Sequence, residues 1–540
     1  MALSTLQGIR LATIRQLYMS TVASKLDYAA AVWFHSKKQG SRSNQAFEAV
    51  QKIGSRAIVG AYKTAAGPIL AGLLPTMLRL ERRVLQYVIN LHTLPKEHPW
   101  WMLTKWFRKQ ITRFKSPLVQ HLQRFRDIVG NIDQPIETIQ AFAQHPSTDR
   151  KCLRFAIHKN RQVAKAEAKR VALAMYTDGS RRNGVVGIAV VWKARDLPAL
   201  GLQGLVQHYE RGVDWIKTWE TIDLQTNANE YTAELAAILR ALQILKVQPN
   251  SANRQITVLT DCLSALQSIQ EPRLQSGQYI LQQIWCTARQ LYNQGTIATL
   301  QWVPAHEGIV GNEMAHSCAQ IATKRKAKLA GDEGPRLKSR ALQIGREWIK
   351  AEKTRRFDQL QVGKFTRTID KALPREHMTQ VYNALHQEEA KILLQLRTGH
   401  TPLNDNLARI RAEQLANCVC RMGVELVQHF LFYCPKWRNE RTKLREAMAD
   451  RWGDLAYALG GWSGRRDRRN SRFVDGPREK WKPNLKIIKA TIQFVIKTKR
   501  FQPKATIAEY TEGIEARAIE DTRVSGEMVV SDDESVGSSL

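Results

Sequence analysis

No stretch of the chain approaches the roughly 18 to 20 uninterrupted apolar residues that a membrane helix needs, and residues 1–15 lack the charged-then-apolar order of a secretory signal. The sequence therefore predicts a protein that makes no membrane contact and works inside the cell, nuclear or cytoplasmic. Cysteine is scarce: seven in 540 residues, without regular spacing. That argues against a disulfide scaffold and leaves metal binding as the use of any cluster. Negative charge is also in short supply, with 49 Asp and Glu against 82 Lys and Arg. Missing as well is a Tyr/Phe-x-Asp-Asp turn, the paired acids of a nucleotide polymerase, so DNA synthesis is not expected.

What is present fits several domains. A length of 540 residues predicts about three or four of them, and 43% apolar residues suffice for each to bury a core. The formal charge of +33 implies a polyanionic partner, because phosphates relieve self-repulsion of that size. Nucleic acid leads, although charge alone does not separate DNA from RNA. Residues 506–540 run the other way, with nine acids against two bases, and their composition predicts a disordered acidic tail.

Residues 1–165 read as helical, with apolar positions at helix spacing through Ile14, Leu17, Tyr18, Val22 and Leu26, and again from Leu78 to Leu91. From about Arg170 the texture turns to β-branched residues on either side of the turn between Asp178 and Gly184. A helix is expected over Asn229 to Leu245, a buried strand over Gln255 to Thr260, further helix to about Asn293, and a strand over Thr296 to Val303. The order predicts an α/β layer with a mixed sheet and flanking helices over residues 170–325. A basic helical linker (326–387), a compact Cys-bearing unit (388–445) and a basic region (446–505) follow.

Three acids stand where apolar structure ends. Asp178 closes the first strand, Asp261 closes the strand from Gln255, and Glu234 lies in the first two turns of the helix between them. The carboxyl ends of adjacent strands are the default ligand crevice of an α/β sheet. Unpaired carboxylates gathered there repel one another and persist together if they hold hard divalent cations. Two such ions activate a water and stabilise a leaving oxygen on a phosphodiester.

A second cluster is Cys418-x-Cys420, then His429, then Cys434, three thiols and an imidazole within 17 residues. That ligand set matches a closed structural Zn²⁺ site, although Cys-x-Cys is tighter than the usual gap. The bland alternative is three small core residues and a surface His. Cys152, Cys262, Cys286 and Cys318 fall singly and read as core.

Tyr176-Thr-Asp-Gly-Ser180, Thr232-Ala-Glu-Leu-Ala-Ala-Ile238, Val258-Leu-Thr-Asp261, and Trp302-Val-Pro-Ala-His-Glu-Gly308 followed by Gly311-Asn-Glu313 occur in the order and spacing of the ribonuclease H domain, which this stretch resembles. The resemblance implies an enzyme that hydrolyses the RNA strand of an RNA–DNA hybrid with two Mg²⁺ or Mn²⁺ ions. Asp178 would bridge the ions, Glu234 and Asp261 would complete the one beside the leaving oxygen, and His306 would aid proton transfer or product release. Where that family places a fourth carboxylate, in a Gly-Asn-Glu-x-Ala-Asp run, this chain has His316. Imidazole ligates metals but suits softer ions than Mg²⁺, so His316 is a candidate ligand with weak or Mn²⁺-favouring activity expected. Glu313 is expected to be structural.

The flanks narrow the likeness. Ser4 to Arg10, Arg15 to Tyr18, Leu26 to Trp33, Gln51 to Arg56 and Ala61 to Thr64, with Leu394 to His400, the Cys/His cluster and Ile492 to Phe501, resemble the carboxyl-terminal part of fungal-type non-LTR retrotransposon reverse transcriptase polyproteins. Two alternatives stay open. One is a catalytically inactive nucleic-acid-binding remnant, and the other a cellular ribonuclease H with its own hybrid-binding module. Trp100, Trp101 and Trp106 read as base-stacking or as core, and the runs Lys324 to Lys328 and Arg465 to Arg469 as nucleic-acid contacts, import signals or solvated charge.

Overall fold

The structure, a computed structural model, describes residues 10–35, 42–59, 72–102, 117–129, 136–140, 150–158, 160–223, 227–248, 255–324, 334–359, 363–467, 469 and 471–502. Residues 4–9, the motif from Ala61 to Thr64, Trp106, Arg325 to Lys328, Arg468 and the acidic tail lie outside the described residues. The chain divides into two interleaved units. One comprises residues 1–26, 41–76 and 353–540, and the other 27–40 and 77–352. The expected helical region 1–165 is thus shared between them. Its apolar stripes find different partners, which periodicity alone does not specify.

In the second unit, helices α1 (Thr76–His92) and α2 (Pro117–Val129) bury Leu80, Val84, Val88 and Phe125 with Ala341 of a later helix. Trp100 is buried here, which favours the core reading of that residue. Next come β1 (Leu153–Ala156), α3 (Arg161–Arg170), β2 (Ala174–Arg182), β3 (Val185–Lys193), β4 (His208–Arg211) and β5 (Trp215–Asp223). They are followed by α4 (Glu230–Val247), β6 (Gln255–Thr260), α5 (Leu263–Gln270), α6 (Gln278–Asn293), β7 (Ile297–Trp302), α7 (Val310–Ile321) and α8 (Lys338–Gln359). Among the described residues the strands form one mixed sheet in the order β1-β7-β6-β2-β3-β5-β4. Its outer strand β1 was not expected from sequence. Four residues are too short for a two-residue alternation to stand out.

Two local features position the site. The hairpin β2–β3 turns at Asn183-Gly184, both with positive φ (51° and 88°), as a two-residue turn requires. The strand therefore runs on to Arg182, and Asp178 is mid-strand rather than at its end. Against β6, however, the parallel pairing stops at Tyr176 opposite Leu259. Carried two residues further, the same register sets Asp178 beside Asp261. Helix α4 begins at its cap Asn229, whose side chain accepts from the Thr232 N–H at 3.0 Å, and buries nearly its whole length.

The first unit has its own core. Leu11, Ile14 and Tyr18 share it with Leu393, Phe430, Ile488, Ile492 and Phe494. The Cys-bearing segment is thus part of a larger body that includes the helix Leu485–Thr498. At its centre Asp370 accepts from Arg397 at 2.6 Å and from His377 Nε2 at 2.8 Å, all three buried. The Arg397 guanidinium holds the Asp370 carboxyl down, to about 2, against the upward push of burial. No described helix is long and apolar enough to cross a membrane.

Candidate active site

Asp178 from β2, Glu234 from α4 and Asp261 from the end of β6 converge, with a carboxylate oxygen from each within 4.8 Å of the others. Asp178 and Glu234 are only 3% and 6% exposed, while Asp261 is partly open. The close fit begins with Gly179. A Cβ there would stand 2.5 Å from Ala233 Cβ and 2.6 Å from the Glu234 nitrogen, so only glycine lets α4 lie directly on β2. The Gly179 N–H then donates to Glu234 Oε1 at 3.2 Å, and Thr260 Oγ1 donates to Oε2 at 3.3 Å.

Electrostatics make this an unstable set of anions. Burial, then the Asp261 and Glu230 charges, push the Asp178 carboxyl up to about 8. Burial, then Asp178 and Asp261, raise Glu234 well above the usual carboxylate range, and the two donors to it offset this in part. An all-oxygen set of converging, part-buried carboxylates fits a hard divalent cation of the Mg²⁺ or Mn²⁺ kind, which would restore the ionised forms.

His316 and His306 also come to this place. His316 Nδ1 lies 3.1 Å from Asp178 Oδ2, and its Nε2 lies 2.6 Å from Gln320 Nε2. With the Gln320 amide donating to Nε2, the neutral ring carries its proton on Nδ1 and donates it to Asp178. The His306 ring stands perpendicular to His316 at 5.5 Å between centroids, on a loop residue with φ of 54°. The next residue, Glu307, is tied to α3 through Lys165 at 3.5 Å and Arg161 at 3.9 Å. Glu313 lies in the first turn of α7. Two site residues escaped the sequence reading. Asn312 Nδ2 donates to Asp261 Oδ2 at 3.2 Å, and Gln320 sets the His316 tautomer. Asn312 lies inside a quoted motif, and Gln320 is one helical turn after His316, so spacing was the available signal.

The other predicted cluster also assembles, in the first unit. The Cys418, Cys420, His429 and Cys434 ligand atoms all lie within 4.8 Å of one another. Cys418 and Cys434 sulfurs are 3.6 Å apart, and Cys420 Sγ is 3.3 Å from His429 Nε2. Tetrahedral ligands at about 2.0 to 2.3 Å from zinc stand roughly 3.5 to 3.8 Å from each other, close to the spacing of these two pairs. A tight turn brings the first two together, with Cys418 N–H donating to Gly423 O at 2.8 Å and Arg421 at φ 63°. A single helical turn, His429–Tyr433, sets the other two. Arg441 fastens that turn by donating to the carbonyls of Phe430, Leu431 and Cys434.

Residues 170–324, the span that holds the three converging acids, match the RNase H family model. Solved structures similar to it include RNase H1 from the halophilic archaeon Halobacterium salinarum NRC-1, at 19% identity over 28% of this chain and 96% of that one, TM-score 0.20. Another is the N-terminal RNase H domain of Rv2228c from Mycobacterium tuberculosis, at 17% identity over 28% of this chain and 100% of that one, TM-score 0.19. No curated protein matches the chain.

Proposed function

We propose that residues 170–324 hydrolyse the RNA strand of RNA–DNA hybrids with Mg²⁺ or Mn²⁺. The observation that carries this reading is the convergence of Asp178, Glu234 and Asp261 in a domain of the RNase H family. Two bound cations would supply water activation and stabilisation of the leaving oxygen. The three carboxylates would hold those ions, with His316 a further candidate ligand. Asn312 would orient Asp261, and His306, whose ring stands beside that of His316, would aid proton transfer or product release. The test is hydrolysis of a labelled RNA strand annealed to DNA, beside the same RNA free and in duplex RNA. Cleavage of the hybrid that Asp178→Asn abolishes without loss of hybrid binding supports the reading. Absence of cleavage in either ion defeats it.

One observation favours a second reading, a nucleic-acid binder without turnover: an imidazole donates to Asp178 where the family pattern has a carboxylate. The wider context we infer is the carboxyl-terminal part of a non-LTR retrotransposon reverse transcriptase, on the strength of the flanking motifs, acting inside the cell. A transcript that runs upstream into a polymerase palm would support that context. We also infer one Zn²⁺ on Cys418, Cys420, His429 and Cys434, where it would staple a turn to a short helix.

A further inference from the structure

Away from the carboxylates, the second unit carries a concentration of positive charge over a single acid. Asp27 is buried and accepts Arg79 Nε on both oxygens, at 2.9 and 3.1 Å. Arg83 Nε approaches the same carboxylate only to 3.7 Å, and its side chain is 47% exposed. Arg79, Arg82 and Arg83 follow on α1 at spacings of three and four, which puts them on one face. Arg82 and Arg83 reach solvent.

Helix α8 adds to this face. It packs so closely on α1 that a Cβ at Gly345 would lie 2.5 Å from Leu85 Cδ2, and the next residue, Arg346, is exposed. Burial first, then the guanidiniums of Arg83, Arg79 and Arg346, depress the Arg82 pKa, with Asp27 opposing. The neighbouring acids are engaged elsewhere. Glu81 faces Arg124 at 4.0 Å, and Glu347 faces Arg340 at 3.6 Å and accepts from Gln343 at 3.0 Å. Arg79, Arg82 and Arg83 therefore share one carboxylate that already serves Arg79, and Arg346 adds its repulsion to Arg82. Such repulsion weakens the fold unless an outside anion relieves it. A row of guanidinium forks fits phosphate oxygens in geometry as well as charge.

We propose that Arg82, Arg83 and Arg346, on the seam between α1 and α8, grip the phosphodiester backbone of nucleic acid at a surface separate from the carboxylate site. The grip lies outside the segment that matches the RNase H family. It deepens the nucleic-acid reading above, supplying affinity without base preference.

The test uses the full chain and a labelled RNA–DNA hybrid, with dissociation constants measured across a salt series. Each lost backbone contact lowers the slope of log K against log salt by about 0.7 to 0.9. Arg82→Gln and Arg346→Gln are each expected to remove about one such step, and the double variant about two. Arg82→Lys, which keeps the charge, is expected to keep the slope, and Arg273→Gln, on another surface, to leave it unchanged. Hydrolysis by Arg273→Gln is expected to stay within about twofold of the parent, because Arg273 pairs with Glu271 and belongs neither to the carboxylate site nor to the seam. A double variant with the parent slope, or an equal loss from Arg273→Gln, overturns the grip. A parent that binds hybrid with the expected slopes yet never cleaves it defeats the nuclease reading and leaves the grip standing.

Discussion

His316 Nδ1 stands 3.1 Å from Asp178 Oδ2, an imidazole in contact with the most central carboxylate of the site. Its Nδ1–H occupies a carboxylate oxygen that a cation would otherwise take. Gln320 keeps that proton in place from the far side of the ring.

Replacing this residue by a carboxylate reverses the effect. His316→Asp is expected to raise Mg²⁺-supported hydrolysis of a hybrid by about tenfold, equivalent to about 1.4 kcal/mol of barrier, and to gain less in Mn²⁺. Parallel assays in the two ions measure it. No gain in Mg²⁺ would count against the role given to His316.

The Asp178 carboxyl is raised from an ordinary value of 3.8 to about 8, so the folded protein holds a proton there that the unfolded chain releases. The contribution of this group to stability without added cation is therefore full below about pH 4, falls as pH rises, and is lost by about pH 8. Asp178→Asn removes the titrating group. It is expected to flatten this profile and raise the melting temperature at pH 8 by a few degrees, of the order of 1 kcal/mol, while abolishing hydrolysis. Thermal melts at pH 5 and pH 8 decide it, and an unchanged profile would refute the burial argument.

Cation binding draws on the same energy. Added Mg²⁺ or Mn²⁺ is expected to raise the parent's melting temperature more at pH 8 than at pH 5, because protons and metal compete for the same oxygens. At a hundredfold excess over its dissociation constant the gain is about 2.7 kcal/mol. In Asp178→Asn it should largely vanish.

Gly179→Ala probes the packing that delivers Glu234. The new methyl would meet Ala233 and the Glu234 nitrogen at 2.5 to 2.6 Å, contacts that main chain must yield to. A loss of about 1 to 3 kcal/mol is expected, with a fall in hydrolysis beyond what unfolding explains. Denaturant titration and assays at low temperature separate the two.

In the other unit, zinc content per chain is expected to be one, and Cys420→Ser is expected to lower it. Chelation should cost the first unit stability while Asp178-dependent cation effects persist. Unchanged zinc in Cys420→Ser would remove Cys420 from the ligand set.

The three converging acids were legible in sequence because each sits at a position that secondary structure fixes. Asp261 follows a β-rich run, Asp178 stands within another that pairs with it in parallel, and Glu234 lies one turn inside a helix whose cap, Asn229, is plain. The Cys/His cluster was legible because its four members are close in sequence. Asn312 and Gln320 were not, since a polar side chain on a helix reads the same whether it meets solvent or a catalytic group. Arg397 shows the same limit in the first unit. Within Leu394 to His400 it marked a resemblance, but its buried pairing with Asp370, 27 residues away, is a tertiary fact. The helical flanks were hardest, because an apolar stripe announces that it will be covered and not by what.

The interleaving of the two units bears on how the chain is made. Of the described helices, Leu11–Leu17 leaves the ribosome first, yet the Ile488, Ile492 and Phe494 side chains that complete its surroundings are translated after every described strand. The intervening segment, residues 77–352, supplies all seven described strands and can reach its native state meanwhile. During synthesis the early helices must wait with part of their apolar face uncovered, a period in which chaperones matter. A protein cut before residue 485 would leave that core without its Ile488, Ile492 and Phe494 portion.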